Sequence, residues 1–331
     1  MRVLAGDIGG TNARFLVAEV DGDSVRPVLE HQVASTDHSG PAAALRAAAT
    51  EAGYQEAWPE RACFAVAGPV SGTTARVTNL PWRLDATALA SDLAIEHVEL
   101  INDFTGVGEG LPTLTGDQLL NLLPGEPEPH APQAYLGAGT GLGMGWRIPC
   151  GTGHAVVASE GGHAGFAPRT AIERGLLDYW HARLGRVHRE TLLSGPGLAR
   201  IAEYLREERG RVPGEALARA LAEAEDPAAV LGRAGVAGED PLAVETLTIF
   251  SGIYGSVAGD VGLEAVATGG VYLAGGIAPR LVEFLTGPGF REAFLDKGAM
   301  RHLAERLPVH LVTEPRVGLL GAARRAALLR I

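Results

Sequence analysis

Residues 4–11 read Leu-Ala-Gly-Asp-Ile-Gly-Gly-Thr, and residues 136–141 read Leu-Gly-Ala-Gly-Thr-Gly. Each stretch begins as an apolar strand and passes into a glycine-rich turn that contains one threonine. A second strand is predicted after each turn, at 13–20 and at 144–148. The recurrence predicts a duplicated hairpin that begins each of two related domains.

Strands alternate with helices around these two hairpins, which predicts an α/β fold with mostly parallel sheets. In such sheets, functional groups lie at the carboxyl ends of the strands. Further strands are predicted at 2–6, 25–34, 62–67, 97–101, 133–136, 270–274 and 308–312, and helices at 41–53, 86–94, 170–184, 197–209, 214–224, 241–267 and 318–329.

The composition excludes several classes of protein. Among the 331 residues, 28 Lys and Arg against 39 Asp and Glu give a net charge of −11, which argues against a general nucleic-acid binder. No apolar run is seen to reach the ~18 residues of a membrane span, and the N-terminus does not resemble a signal peptide. Two cysteines provide neither a disulfide framework nor a Cys-based zinc site. We expect a soluble, cytoplasmic protein.

Lys297 is the only lysine in the chain. A P-loop requires a lysine after its glycines, and a protein kinase requires a strand lysine that contacts the α- and β-phosphates. The segment Leu295-Asp296-Lys297-Gly298 fits neither arrangement. Both classes are therefore excluded.

Two glycine-rich turns are candidates for binding phosphate. In Gly6-Asp7-Ile8-Gly9-Gly10-Thr11-Asn12 and in the segment 137–143, glycines allow backbone N–H groups to converge on an anion. An ordinary hairpin turn is an equal alternative for the first segment alone, but the recurrence favours a phosphate clamp. The Gly275-Gly276 pair after the strand 270–274 is a third candidate, with a helix-entry turn as its alternative.

Polar residues after strands or beside glycines are candidates for catalysis and sugar binding. Asp103, at the end of the strand 97–101, could accept a proton during phosphoryl transfer, or it could cap a helix that starts at Phe104. Glu160 and His163 flank two glycines and could bind vicinal hydroxyls. A surface turn is an alternative, and a metal site is disfavoured because no cysteine or second histidine at helical spacing is nearby.

Two further segments carry weaker signals. Glu190 by itself is most simply a solvated, helix-capping residue. The segment Thr78-Asn79-Leu80-Pro81-Trp82 suits a loop over a sugar, although Trp82 could equally be a core residue.

Seven motifs in order along the chain resemble the bacterial glucokinase family, the ATP-dependent, zinc-free branch of the sugar-kinase/actin-like superfamily. They are GDIGGTNARF (6–15), TNLPW (78–82), INDF (101–104), LGAGTGLG (136–143), SEGGH (159–163), LLSGPGL (192–198) and LAGGI (273–277). The related repressor/kinase group has a Cys-rich zinc motif, which Cys63 and Cys150 cannot supply.

The resemblance implies two ribonuclease-H-like, actin-like ATPase lobes around a central cleft. One lobe would comprise 1–107 and 314–331, and the other 108–313. The activity would be phosphorylation of D-glucose by ATP at the 6-hydroxyl, the first step of glycolysis. We expect a cytoplasmic homodimer that uses Mg²⁺ but no zinc, and that binds neither nucleic acid nor a membrane.

The resemblance also assigns roles to individual residues. Asp103 would be the general base, and Asp7 would hold Mg²⁺ through water. The sugar would be bound by Asn79, Asn102, Asp103, Glu160, His163 and Glu190. The nucleotide would be bound by Gly6, Asp7, Gly9, Gly10, Thr11, Asn12, Gly137, Gly139, Thr140, Gly141, Gly275 and Gly276.

Three alternatives remain open at this point. The protein could phosphorylate another hexose or use polyphosphate or ADP as donor. It could be a non-catalytic sugar sensor, although the phosphate loop at Gly6 leaves no room before it for a helix-turn-helix. It could be an actin-like filament or chaperone ATPase, for which the INDF and SEGGH motifs have no obvious use.

Overall fold

The computed structural model describes residues 1–78 and 80–329. The chain divides into two compact units, one formed by Met1–Gln118 with Glu314–Ile331 and the other by Leu119–Thr313. The boundary expected at residue 107 falls inside a helix, Asp103–Gly110. Because that helix and the turns after it pack within the first unit, the observed boundary lies at 118.

A five-stranded sheet forms the centre of the first unit. Its elements are β1 (Arg2–Ile8), β2 (Asn12–Asp21), β3 (Ser24–Ala34), α1 (Pro41–Glu51), β4 (Arg61–Val66), β5 (Val70–Ser71), β6 (Thr74–Arg76), β7 (Arg83–Asp85), α2 (Ala86–Leu93), β8 (His97–Asn102) and α3 (Asp103–Gly110), with 3₁₀ turns at Ser35–Asp37, Leu111–Thr113 and Gly116–Gln118. The strand order is β3-β2-β1-β4-β8, and β5, β6 and β7 form a separate small sheet.

A six-stranded sheet forms the centre of the second unit, with strand order β12-β11-β10-β13-β14-β9. The elements are β9 (Leu119–Leu123), β10 (Gln133–Ala138), β11 (Leu142–Cys150), β12 (Gly153–Ser159), α4 (Ala171–Leu184), α5 (Arg189–Leu192), α6 (Gly195–Glu207), α7 (Glu215–Glu223), α8 (Pro227–Val236), α9 (Pro241–Glu264), β13 (Val271–Ala274), α10 (Val282–Leu285), α11 (Pro288–Leu295), α12 (Arg301–Ala304) and β14 (Val309–Val312), with 3₁₀ turns at Gly161–His163, Ala278–Arg280 and Gly298–Met300.

Five strands of each sheet share one topology, and the second sheet adds β9 as an antiparallel edge strand beside β14. In each, an antiparallel hairpin, β1–β2 or β10–β11, is followed by a third antiparallel strand. Two parallel strands then extend the sheet on the other side of the first strand. The duplicated hairpin predicted from the sequence is therefore present, and the glycine-rich turn of each hairpin lies at the carboxyl end of a central strand.

The central strand β1 is buried on both faces. Leu4 and Ile8 pack into the cluster that includes side chains from α1 and α2, whereas Val3 and Ala5 pack against the last helix, α13 (Val317–Leu328). The alternation follows from the two-residue period of a strand. Covering both faces with helices leaves the ends of the strands as the accessible edge of the sheet.

Helix α13 lies directly against the backbone of α3. A Cβ added at Gly321 would overlap the carbonyl oxygen of Gly106 and would lie 2.5 Å from the nitrogen of Gly110. Only glycine permits such close approach of two helices. The C-terminal helix therefore supports the helix whose first residue is Asp103.

Helix α9 is long and apolar enough to cross a membrane, a candidate that the sequence analysis overlooked when it found no such run. In the apolar window of this helix, 78% of the residues are buried inside the structure. Asp260 of α9 forms an ion pair with Lys297, with 2.7 Å between Oδ1 and Nζ. Lys297 Nζ also donates to the carbonyl oxygen of Ser256 at 2.8 Å. The single lysine is thus part of the packing around α9.

Candidate functional site

Two carboxylates lie at the carboxyl edge of the first sheet. Asp7 is near the end of β1, and Asp103 follows β8, with β4 between the two strands. Burial raises the pKa of Asp103 from 3.8 to about 6, a hydrogen bond from the Phe104 backbone opposes this rise, and the negative charge of Asp7 adds to it. The two carboxylates are therefore close enough to interact electrostatically.

Asp7 is held in a similar environment. Burial raises the pKa of Asp7, and the positive charge of Arg14 partly offsets that rise. Arg14 faces Asp7 across the β1–β2 ladder and donates to Gln32 Oε1 at 2.8 Å. A half-buried carboxylate beside a glycine turn is a suitable ligand for a hard cation or its water shell.

Asn102 occupies the cap position of α3. Its Oδ1 atom accepts from the Phe104 N–H at 2.9 Å, and its Nδ2 atom donates to the Gly68 carbonyl oxygen at 3.2 Å. Asp103 Oδ1 also accepts from the Phe104 N–H at 2.9 Å. The helix begins at Asp103 rather than at Phe104, so capping does not by itself require an aspartate at 103.

The first glycine turn is stabilised by two hydrogen bonds from Ser35. The Ser35 hydroxyl donates to the Gly9 carbonyl oxygen at 2.8 Å, and the Ser35 N–H donates to the Thr11 carbonyl oxygen at 2.8 Å. Gly6 is buried in β1, where a Cβ would lie 2.5 Å from the Phe64 ring, so packing alone accounts for this glycine. The remaining predicted residues of the loop are half-buried or exposed: Asp7, Gly9, Gly10, Thr11 and Asn12.

The second glycine turn borders a large cavity. The Gly139 N–H donates to the Gly141 carbonyl oxygen at 2.8 Å, and the Gly195 N–H donates to the Gly139 carbonyl oxygen at 2.7 Å. The cavity has a volume of about 940 Å³. Gly139 and Thr140 form part of its wall, and most of its other lining residues are apolar or small. Gly137 lies deeper, buried within β10.

The third glycine turn packs against the second. Gly275 has a φ of +82°, and a Cβ there would lie 2.7 Å from the Ala138 carbonyl oxygen. The Ile277 N–H donates to the same oxygen at 3.3 Å. Ile277, the residue after Gly276, continues the wall of the cavity together with Arg280 and Leu281. The sequence motif therefore lies beside the cavity.

Helix α8 forms the far wall of this cavity and was not predicted from the sequence. Its Ala228, Ala229, Gly232 and Arg233 line the cavity, and its cap residue Asp226 accepts from the Ala229 N–H at 3.0 Å. The signal was present, since an Asp followed by a proline and an alanine-rich run is typical of a helix start.

A cluster of polar side chains lies elsewhere in the second unit. His163 and His188 are in edge contact, with ring centroids 5.0 Å apart, and each offers a ligand atom within 4.8 Å of the other and of a Glu190 carboxylate oxygen. Burial lowers the pKa of His188, and neighbouring His163 lowers it further. Glu160, exposed, precedes the same turn. His188 was not singled out from the sequence, because spacing along the chain did not reveal its contact with His163.

Glu190 is not a solvated capping residue. Its Oε2 atom accepts from the Leu142 N–H at 2.7 Å, and a Cβ added at Gly141 would lie 2.6 Å from this oxygen. The glutamate is half-buried beneath the second glycine turn. It thus contacts the turn that borders the cavity while belonging to the cluster with His163.

The TNLPW segment contributes one core residue. Trp82 is 4% exposed and donates from Nε1 to the His38 carbonyl oxygen at 3.2 Å, so it is part of the core of the first unit. The predicted sugar ligand Asn79 lies outside the described residues.

Comparisons with known proteins agree with these observations. Residues 4–329 match the sequence profile of the glucokinase family. The chain is 40% identical to a glucokinase of Trichormus variabilis over 99% of both chains, and 39% identical to a glucokinase of Synechocystis, covering 98% of this chain and 97% of the other.

Solved structures give the same result. A crystal structure of glucokinase from an Antarctic psychrotroph has a TM-score of 0.86 at 31% identity and covers 98% of each chain. A ROK family glucokinase from Streptomyces griseus in complex with glucose and AMPPNP has a TM-score of 0.66 at 21% identity over 99% of each chain, a likeness of fold alone. The predicted α/β, actin-like ATPase fold is confirmed, and the chain belongs to the glucokinase family.

Proposed function

We propose that this protein is a glucokinase that transfers the γ-phosphoryl group of ATP to the 6-hydroxyl of D-glucose. Its similarity to glucokinases extends over the full length of the chain. The single observation that carries the mechanism is the Asp103 carboxyl, half-buried at the carboxyl edge of the sheet with its pKa raised to about 6. Glucose 6-phosphate would be the product, as in the first step of glycolysis.

Asp103 is the proposed general base. As the 6-oxygen of glucose bonds to the γ-phosphorus, the bond to the bridging oxygen of ADP breaks and the hydroxyl proton moves to the Asp103 carboxylate. A base is most effective when its pKa lies near the working pH, because it is then ionised yet still basic. Burial, the largest cause of the raised pKa, therefore serves catalysis directly.

The other hydroxyls of the sugar are assigned to Asn79, Asn102, Glu160, His163 and Glu190. These groups supply amide, imidazole and carboxylate partners for a polyhydroxylated ligand. The contact between His163 and His188 and the hydrogen bond from Leu142 to Glu190 restrict the side chains on the second unit. Such restriction supports a binding role, since positioned groups lose less entropy on binding.

The nucleotide is assigned to the glycine turns. The mostly apolar cavity beside Gly139 and Thr140 suits the adenine and ribose, with Gly275 and Gly276 at its edge. The N–H groups of Gly139 and Gly9 close the two turns by donating to the Gly141 and Asn12 carbonyl oxygens, respectively. Phosphate oxygens would instead be bound by backbone N–H groups of Thr140 and Gly141 on the second turn and of Gly10 to Asn12 on the first. Such N–H groups stabilise developing charge without a lysine, in agreement with the structural position of Lys297.

The half-buried carboxylate of Asp7 fits a role in holding Mg²⁺ through a water ligand, because Mg²⁺ retains much of its hydration shell. The ion would neutralise charge on the phosphates. We further propose that catalysis requires no zinc and that the enzyme is a cytoplasmic homodimer.

The direct test is a panel of hexoses and phosphoryl donors, assayed with coupled detection of ADP and sugar phosphate, with Mg²⁺ present and withheld. We expect glucose with ATP and Mg²⁺ to give the highest kcat/KM and Mg²⁺ removal to abolish turnover. A higher kcat/KM for mannose or fructose, or for polyphosphate or ADP as donor, would replace the proposed substrate. Glucose phosphorylation that persists without Mg²⁺ would remove the role of Asp7.

A further inference from the structure

The cluster of His163, His188 and Glu190 has the donor set of a zinc site. Two imidazoles and one carboxylate are a common set of three protein ligands around a zinc ion that keeps one open position. In the described residues these three form the one group of at least three His, Cys, Asp or Glu side chains with ligand atoms this close together. From the sequence, a metal site was disfavoured because no cysteine and no second histidine at helical spacing lay near His163; the fold supplies His188 as the second histidine.

The separations are compatible with metal binding. Bonds of about 2.0–2.1 Å in tetrahedral geometry place zinc ligand atoms roughly 3.3 Å apart. The three ligand atoms here lie within 4.8 Å of one another, which is at most about 1.5 Å wider than that spacing. In addition, the Nδ1 atom of His188 is buried and makes no hydrogen bond, which leaves a ring nitrogen without a partner.

The backbone that carries the three side chains is fixed by a short ladder. The Arg189 N–H donates to the Ala164 carbonyl oxygen at 2.9 Å, and the Phe166 N–H donates to the Val187 carbonyl oxygen at 3.2 Å. The hydrogen bond from Leu142 to Glu190 Oε2 leaves Oε1 as the available oxygen. Hydrogen bonds that orient ligands in this way strengthen metal sites.

We propose that His163, His188 and Glu190 bind a zinc-class divalent cation and that this cation excludes glucose from the enzyme. The exclusion rests on the proposed function, in which His163 and Glu190 bind sugar hydroxyls, because neither side chain can serve both ligands at once. The ion is an inhibitor and not a cofactor of phosphoryl transfer. A softer metal than Mg²⁺ is favoured, because imidazole nitrogens bind zinc in preference to Mg²⁺.

The test uses the nucleotide-free enzyme, so that ATP does not chelate the metal. Zn²⁺ binding is measured by competition with a chromophoric chelator, and Co²⁺ replaces Zn²⁺ to report coordination through its visible absorption. We expect one tightly bound ion with the absorption of a four-coordinate site. Saturating glucose should release it, whereas an equal concentration of sorbitol should not.

His188→Asn is the decisive variant, because His188 is not among the residues assigned to the sugar hydroxyls and acts on the sugar site through its contact with His163. We expect it to weaken Zn²⁺ binding by at least about tenfold, with thermal unfolding measured to show that the variant is folded. His181→Asn, on the exposed side of α4, is the matched control and should bind Zn²⁺ like the parent protein.

Each result separates the metal site from the proposed function. Unchanged Zn²⁺ affinity in His188→Asn, or Co²⁺ absorption typical of six-coordinate surface binding, would overturn the metal site. Zinc that depends on His188 but is not displaced by glucose would overturn the exclusion. Glucose phosphorylation with Mg²⁺ and a zinc-selective chelator tests the kinase independently, and its failure would overturn the proposed function while leaving the metal result intact.

Discussion

Replacing Asp103 by Asn should stabilise the protein while removing its activity. A carboxyl whose pKa rises from 3.8 to about 6 on folding destabilises the folded state by about 3 kcal/mol once ionised, at roughly 1.36 kcal/mol per tenfold change in proton affinity. The penalty is absent below the unfolded pKa, where the carboxyl is protonated in both states. It grows with pH and reaches its full value once the pH has risen above the folded pKa. Asparagine has no such charge to bury.

The stability difference between Asp103→Asn and the wild type should depend on pH. Applying the same linkage, the stability advantage of Asp103→Asn should grow by about 1.4 kcal/mol between pH 5 and pH 8. Urea unfolding of both proteins, monitored by tryptophan fluorescence, measures this difference. In the wild type, kcat/KM for glucose at saturating MgATP should fall about tenfold from pH 8 to pH 5, because only about a tenth of a base with a pKa near 6 is ionised at pH 5.

Two results would refute the reasoning. One is a stability difference between Asp103→Asn and wild type that is constant with pH, which would mean that burial does not shift this carboxyl. The other is a kcat for Asp103→Asn within tenfold of wild type, since loss of a general base lowers the rate by about 10²–10⁴.

The remaining predictions concern one glycine contact in each unit and the single lysine. Gly321→Ala should destabilise the fold by about 1–3 kcal/mol because its Cβ would overlap the Gly106 carbonyl oxygen; thermal unfolding checks this, and Gly289→Ala, where nothing lies within 4 Å, is the control. Lys297→Met should leave kcat within about twofold yet lower stability by about 1–3 kcal/mol, and a large loss of kcat would show that the lysine acts in catalysis. Gly141→Ala should raise KM for glucose about tenfold by displacing the Glu190 carboxylate, the loss of one charge-assisted hydrogen bond. Gly139→Ala on the same turn has open space and should leave that KM within about twofold; equal effects of the two changes would contradict the role of Glu190.

Much of the fold could be predicted because its signals are local. The strand–glycine–strand pattern occurs twice, and each occurrence forms a hairpin at the centre of a sheet. The apolar run of β1, which is buried on both faces, and the start of α9 at Pro241 are likewise local signals. The short strands β5, β6 and β7 were missed, since segments of two or three residues carry too little periodicity to detect.

In the candidate site, too, the residues with local sequence signals could be predicted and those defined by long-range contacts could not. Asp103 and Glu160 could be singled out because each stands beside a strand end or a glycine turn. The contact between His163 and His188 joins residues 25 positions apart through a backbone ladder, and no spacing along the chain reveals it. Without the family resemblance, the sequence around Glu190 suggested a solvated cap, because its partner, the Leu142 N–H, lies 48 residues away.

Asp103 differs from two glutamates near α13 in having no arginine partner among the described residues. Glu99 accepts two hydrogen bonds of 2.7 Å from Arg325, and buried Glu109 accepts one of 2.7 Å from Arg324. These glutamates have guanidinium partners, which link α13 to β8 through Glu99 and to α3 through Glu109. Asp103 is half-buried, no cation is among the causes of its raised pKa, and the negative charge of Asp7 adds to the rise. Under the proposed function, this lack of a cationic partner is what keeps the pKa of the Asp103 carboxyl raised, as a group that takes a proton requires.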